Sequence, residues 1–249
     1  MLSIIIPCKD EPYLPELIRI IDAYVKIPHE IKVQSEPGLA NAILCGVKGS
    51  IGDVIVVLDG DGSHNPKYIP QMVEMLHNHD IVIGSRYTQG GHNADYFLRH
   101  LLSRFYCKLA RSLLRLQVSD TMSGFIVARK EVFDRLSLLN NDDYKFGLEI
   151  MEKSKDRFRI AECPVVFEER KAGYSKTDAI QGIRTLAFIF KLFMWKIHSE
   201  FPLYQFKRPF TARSPVSYSR LLSSSALSYK GFRASCELSV RSDENAGKS

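Results

Sequence analysis

One segment constrains this chain more than any other: residues 54–66 read VIVVLDGDGSHNP. An apolar, mostly β-branched run with no polar face makes a strand covered on both sides of a sheet. It stops abruptly at two aspartates, Asp59 and Asp61, that flank one glycine, and Pro66 then opens a helix where its missing N–H costs nothing. The same alternation continues on either side. Leu2–Pro7, Glu30–Gln34, Asp80–Gly84, Gly124–Ala128 and Cys163–Glu168 read as strands. Pro12–Val25, Gly38–Val47, Pro66–Leu76, Tyr96–Leu116, Lys130–Leu136 and Leu148–Ser154 carry helical spacing. Strands alternating with helices predict an α/β domain with a mostly parallel central sheet. Ligands in such sheets bind at the carboxyl ends of strands, so the loops after Pro7, Leu58 and Gly84 are the ones to read for chemistry.

Composition narrows the classes without choosing a function. The 249 residues are 45% hydrophobic and 25% charged, which excludes a wholly disordered or collagen-like chain. A net charge of +6 suits phosphate-bearing ligands, nucleic acid or an anionic membrane surface. No nucleic-acid recognition motif accompanies that charge, so nucleic acid is not expected as a partner. The five cysteines are odd in number and form no CxxC, which points to a reducing compartment and away from a zinc cage. The opening MLSIIIPCKDE lacks a basic leader, and the most apolar stretch, 186–197, is broken by Lys191 and Lys196. A cytoplasmic protein, peripheral to a membrane, is expected. Three regions are expected: a catalytic domain over 1–178, an amphipathic helix over 179–200, and a serine-rich disordered tail over 201–249.

Paired carboxylates at a strand end repel one another unless a cation stands beside them. Hard divalent ions such as Mg2+ or Mn2+ prefer oxygen ligands and readily keep substrate phosphates in their shell, which makes Asp59 and Asp61 a natural seat for a metal–diphosphate pair. An EF-hand is disfavoured, because His64 and Pro70 stand where its loop requires Gly and Glu. Arg86, in GSRYTQGG, offers a planar donor fork suited to phosphate. Asp120, in SDTMSGF, is placed to orient a substrate hydroxyl, a phosphate-binding arginine or a metal-bound water, or only to cap a helix. ERKAGYSK sets Arg170 and Lys176 around Gly173, a basic loop able to close over a diphosphate. Along 180–198, Arg184, Lys191 and Lys196 mix with Phe188, Phe190, Phe193, Met194 and Trp195, with no acid. That mixture suits a helix lying in a membrane interface, or one packed on the core.

Taken in order, IIIPCKDE, VIVVLDGDGSHNP, GSRYTQGG, SDTMSGF, LEI and EERKAGYSK resemble glycosyltransferase family 2, and within it the dolichyl-phosphate mannose synthases and related polyprenyl-phosphate glycosyltransferases. The resemblance covers roughly residues 1–198. It implies a GT-A nucleotide-sugar-binding fold and inverting transfer of a hexose, mannose from GDP-mannose first, to dolichyl or polyprenyl monophosphate. It implies Asp59, Asp61 and Ser63 at a Mg2+ or Mn2+ ion, with Pro7, Glu11, Asp59 and Asp61 at the nucleotide. Arg86 is implied near the acceptor phosphate, and Arg170 and Lys176 over the diphosphate. The membrane surface, and a membrane-anchoring subunit, are implied as partners. One departure stands out: the family's acidic segment after its second strand is replaced by Gln34, Ser35 and Glu36. UDP-glucose as donor, another family 2 acceptor, and an inactive nucleotide-sugar-binding homologue therefore stay open.

Overall fold

In the computed structural model, the residues described are 1–93, 97–136, 145–168 and 179–200. Arg170, Lys176 and the tail 201–249 lie outside them. The chain runs β1 (Leu2–Pro7), α1 (Leu14–Tyr24), β2 (His29–Gln34), α2 (Leu39–Lys48), β3 (Val54–Val57), α3 (Ile69–Met75), β4 (Ile81–Ser85) and β5 (His92–Asn93). It continues through α4 (Phe97–Leu114), β6 (Ile126–Arg129), α5 (Lys130–Arg135), α6 (Phe146–Ser154), β7 (Ile160–Pro164), β8 (Val166–Phe167) and α7 (Ala179–Glu200).

Six strands form one sheet in the order β2-β1-β3-β6-β4-β7. β1 pairs in parallel with β2 and β3, and β4 pairs in parallel with β7. β6 runs antiparallel to both its neighbours, β3 and β4. The sheet is thus mixed and mostly parallel, as the alternation predicts, with one reversed strand that an apolar run cannot announce. A small parallel pair, β5 with β8, lies beside it, and a bridge between His64 and Phe167 ties the acidic turn to that pair.

Side chains alternate across the sheet and both faces are covered. On one face Ile4, Ile6, Val56 and Leu58 pack with Leu17 and Ile21 of α1 and Met72 of α3. On the other, Ile5, Ile55 and Val57 pack with α2, α6 and α7. This is why the VIVVL run carries no polar residue. α6 is buried along its whole length, polar residues included. Its Glu149 pairs with Lys153 at 2.8 Å, and Glu152 with Lys155 at 2.9 Å. Lys155 also donates to the carbonyl of Leu114 at 2.6 Å, satisfying an end group of α4.

Three expectations need adjustment. The expected helix at 66–76 opens as a 3-10 turn over Pro66–Tyr68, where Asn65 Oδ1 accepts the Lys67 N–H, and becomes α-helical only from Ile69. The expected strand Cys163–Glu168 is two strands, because the chain leaves β4 at Pro164 to pair with β5. In α7, Phe188, Ile189 and Leu192 are buried in the core and Lys196 is buried too, donating to the Leu113 carbonyl at 3.4 Å. The opposite side of α7 leaves Ile183, Phe190 and Met194 exposed. Core packing and an apolar outer face therefore occur on the same helix.

α6 meets the 123–125 segment at Gly147, where a Cβ would collide with the carbonyl oxygen of Ser123. Gly147→Ala is expected to cost about 2 kcal/mol through this overpacking. In thermal unfolding that is a Tm loss of about 4–8 °C for a chain of this size; an unchanged Tm would show that the contact yields freely.

Candidate active site

The acidic turn sits where β1 and β3 end side by side. Ile5 pairs with Val57, so Pro7 and Asp59 each stand two residues past a shared rung. At Gly60 the space for a side chain is already filled: a Cβ would lie 2.8 Å from Cys8 Cβ and 3.4 Å from Glu11 Cγ. Glycine there lets the loop after β1 press against the turn, which brings Cys8 and Glu11 against Gly60, between Asp59 and Asp61. Gly62 has φ +80°, and Asp61 Oδ1 accepts the Ser63 N–H at 3.0 Å. Asp61 and Ser63 are nearly buried, whereas the Asp59 side chain is 43% exposed.

His64 shapes this turn from below. Its Nδ1 accepts the Asp59 N–H at 2.9 Å, so its proton lies on Nε2, which is 3.7 Å from Asp59 Oδ2. The ring stacks on Phe125 at 5.1 Å and meets Phe167 edge-on at 4.7 Å. Burial holds its pKa below the ordinary histidine value, so the imidazole is neutral. Two carboxylates and a hydroxyl on one turn are hard oxygen donors, and among the described residues no three His, Cys, Asp or Glu converge. That donor set fits a divalent cation whose shell is completed by water and substrate phosphate, and it does not fit zinc.

Arg86 follows β4 and is bound by Asp120. Its Nε and Nη2 donate to the two carboxylate oxygens at 2.7 and 2.8 Å, and its backbone N–H donates to Oδ2 at 3.0 Å. Both side chains are almost wholly buried. Burial opposes the charge on Arg86, but the bonds to Asp120 more than offset it and raise its pKa. Of the roles open to Asp120, the structure gives it that of orienting an arginine. The guanidinium lies over the rings of Phe167 at 4.7 Å and Tyr87 at 5.1 Å. Phe167 therefore touches both His64 of the acidic turn and Arg86.

Two residues escape a reading of the sequence. His64 is visible in DGDGSHNP, but only the fold shows that it holds the Asp59 backbone. Lys145, just before α6, carries no motif. The residue is half-buried, with Arg86, Cys107, Asp120 and Asp59 among its electrostatic neighbours. Burial first, and then Arg86, push its pKa down to about 8. Cys107 lies 3.7 Å from Asp120 and its thiol is pushed up to about 11 by burial and that carboxylate.

The architecture is that of GT-A enzymes. Glucosyl-3-phosphoglycerate synthase from Mycobacterium tuberculosis, in complex with Mg2+ and UDP, superimposes with a TM-score of 0.59 at 16% identity, covering 77% of this chain and 79% of that one. The same enzyme with Mn2+, UDP-glucose and phosphoglyceric acid gives 0.58 at 16% identity, covering 88% of each. Residues 5–137 match the glycosyl transferase family 2 profile, and the chain belongs to that family. The dolichol-phosphate mannosyltransferase of Pyrococcus furiosus is 36% identical over 170 residues, 67% of this chain and 48% of that protein. The enzyme of the same name from Saccharomyces cerevisiae is 29% identical over 71% of this chain and 69% of its own length. The polyprenol monophosphomannose synthase of Mycolicibacterium smegmatis is 30% identical over 68% and 66%. The chain thus spans about half of the Pyrococcus relative and about two thirds of the other two.

Lys145 makes a pH prediction with a definite sign. In the unfolded chain a lysine keeps its proton to about pH 10.4, whereas the folded Lys145 releases it from about 8. Between these values the unfolded state binds more protons, so this group makes stability rise with pH. Relative to wild type, Lys145→Met is expected to gain stability at pH 7 compared with pH 10, because it lacks the group whose charge is disfavoured below about pH 8. Denaturant unfolding at pH 7, 8.5 and 10 measures it; a difference that does not change with pH would refute the shift.

Proposed function

We propose that the protein transfers mannose from GDP-mannose to dolichyl or polyprenyl monophosphate, with inversion at the anomeric carbon. The observation that carries this reading is that Phe167 touches both His64, which holds the backbone of the Asp59–Ser63 turn, and Arg86 of the Arg86–Asp120 pair. The names of the three relatives support mannose and a polyprenyl acceptor. A seat for a metal–diphosphate and a buried arginine within one ring's reach suit a donor and an anionic acceptor held together.

In this reading Asp59, Asp61 and Ser63 hold Mg2+ or Mn2+, which when bound offsets charge on the leaving diphosphate. Pro7 and Glu11 line the nucleotide. His64 fixes the backbone of Asp59 and keeps its carboxylate aimed outward. Arg86, aligned by Asp120, faces the acceptor phosphate. Arg170 and Lys176, outside the described residues, belong to the loop that closes over the diphosphate. A phosphate monoester is already anionic near neutral pH, so it attacks without a strong general base. Catalysis then rests on positioning and charge stabilisation. Inversion follows from a single displacement in which the acceptor oxygen attacks opposite the departing nucleotide.

The acceptor's prenyl chain lies in a bilayer, so the enzyme has to work at its surface. Among the described residues no helix is long and apolar enough to cross a membrane. The exposed Ile183, Phe190 and Met194 of α7, with Leu101 and Phe105 of α4, suit contact with that surface. A membrane-anchoring subunit would serve the same end. On this reading 1–178 forms the catalytic domain, 179–200 the interfacial helix and 201–249 a tail outside the chemistry.

Radiolabelled GDP-mannose and UDP-glucose, each offered with dolichyl phosphate vesicles, test donor and acceptor together. Label is expected in lipid from GDP-mannose; none from either donor would overturn the reading. Asp61→Asn is expected to lower transfer by ~10²-fold or more, the scale of losing one group that stabilises transition-state charge. EDTA should abolish transfer and Mn2+ or Mg2+ restore it, whereas full activity in EDTA would remove the metal from the mechanism.

The two basic loops should separate kinetically. Lys176→Ala is expected to lower kcat by ~10²-fold with little change in acceptor KM, because a cation aimed at the leaving group acts mainly in the transition state. Arg86→Lys keeps the charge but loses the fork. It should raise acceptor KM and leave donor KM alone. Equal losses in both variants on the donor side would refute this division.

A further inference from the structure

Asp120 is held in place from a strand that none of the motifs pointed to. Glu162 lies on β7, paired in register with Ile83 of β4, the strand that delivers Arg86 three residues later. From there its carboxylate reaches across to the 119–120 loop. Oε2 accepts the Ser119 N–H at 2.8 Å and Oε1 accepts the Asp120 N–H at 3.0 Å. Two consecutive backbone donors on one carboxylate fix both the height and the tilt of that peptide. The Asp120 side chain then takes three bonds from Arg86, two from the guanidinium and one from the backbone. The circuit closes on itself: β7 holds the loop, the loop holds the arginine, and the arginine's own strand is hydrogen-bonded to β7. The far end of the loop is pinned separately, by Ser123 Oγ donating to the Gly84 carbonyl at 2.7 Å.

We propose that Glu162 is a positioning residue that sets the Arg86–Asp120 pair and, through it, the acceptor end of the site. The role in acceptor use rests on the reading of Arg86 given above; the role in setting the pair does not. Asp120 has no freedom to compensate for a displaced backbone, since both its oxygens are committed to Arg86. A shift of the 119–120 peptide therefore moves the guanidinium. A misplacement of about 1 Å at a reacting centre costs on the order of 10²-fold in rate, and most of that is expected here on the acceptor side.

Glu162→Gln keeps the shape but turns an amide N–H2 towards one of the two backbone donors. It is expected to raise acceptor KM and lower kcat/KM for the acceptor by about 10–100-fold, with donor KM unchanged. Glu162→Asp keeps the charge and should recover part of the loss. If Glu162 acts through Asp120, adding Glu162→Gln to Asp120→Asn should cost little beyond Asp120→Asn alone. Multiplying losses in the double variant, or a change in donor KM equal to that in acceptor KM, would overturn the proposal. The Arg86 Nε–H resonance, identified by its disappearance in Arg86→Lys, gives a readout independent of any substrate. It should move in Glu162→Gln as the bond to Asp120 loosens, and an unmoved resonance would also overturn the proposal. Absence of transfer by wild-type protein, with the resonance moving as expected, would instead fault the acceptor reading of Arg86.

Discussion

The buried pair of Arg86 and Asp120 is the interaction on which this site's geometry turns. Neither partner is tolerable in the interior alone, because an uncompensated buried charge is strongly destabilising. Each is therefore obliged to find the other, and in doing so joins the end of β4 to the loop before β6. Buried ion pairs add little net stability, since desolvation consumes most of the attraction. What this one supplies is placement. The bidentate fork leaves the guanidinium plane a single orientation, with its central carbon over the Phe167 ring.

Phe167 then serves as the shared wall of two chemistries. It meets a neutral histidine that holds the acidic turn in a T-shaped contact, and its face meets a permanent cation. An aromatic ring is suited to that position because its face attracts a cation while its body excludes water. Excluding water matters for charges meant to act on phosphates, whose interactions weaken steeply in a high dielectric. The tiny β5–β8 pair and the bridge from His64 to Phe167 keep that ring in place. A two-residue strand is easily overlooked, yet here it supports the centre of the site.

Much of the fold was open to reading because apolar runs and helical spacing are local. Leu2–Pro7 was delimited to the residue, and the acidic turn after VIVVL stood out from any neighbouring segment. What stayed hidden was relational. Arg86 and Asp120 are 34 positions apart, and no spacing rule connects them. Asp120 left several roles open on the page, and only the fold selects among them. Lys145 and Glu162 carry no motif, because a lone charged residue at a helix start or on a strand looks like any solvated one. The double character of α7 was hidden for a similar reason. A helix with apolar residues on two sides reads as one amphipathic stripe until its neighbours are known. The direction of β6 was also out of reach, as a run of β-branched residues reads the same whichever way it is inserted.

That reversed strand has a consequence for how the molecule comes into being. β6 is the strand that bonds the β2-β1-β3 half of the sheet to the β4-β7 half. Its ladder to β3 matches Val54 with Arg129, 75 positions away in the chain. Pairings so distant in sequence form late and slowly, because loop closure has to precede any gain. A nascent chain emerging from the ribosome thus carries the acidic turn and the arginine well before the two can meet. Until Arg129 has emerged, β3 and β4 each present an unpaired apolar edge, open to wrong partners. Inserting β6 covers those edges, and the site closes once Glu162 of β7 and Phe167 of β8 follow, so a delay in inserting β6 is a hazard for aggregation as much as for activity.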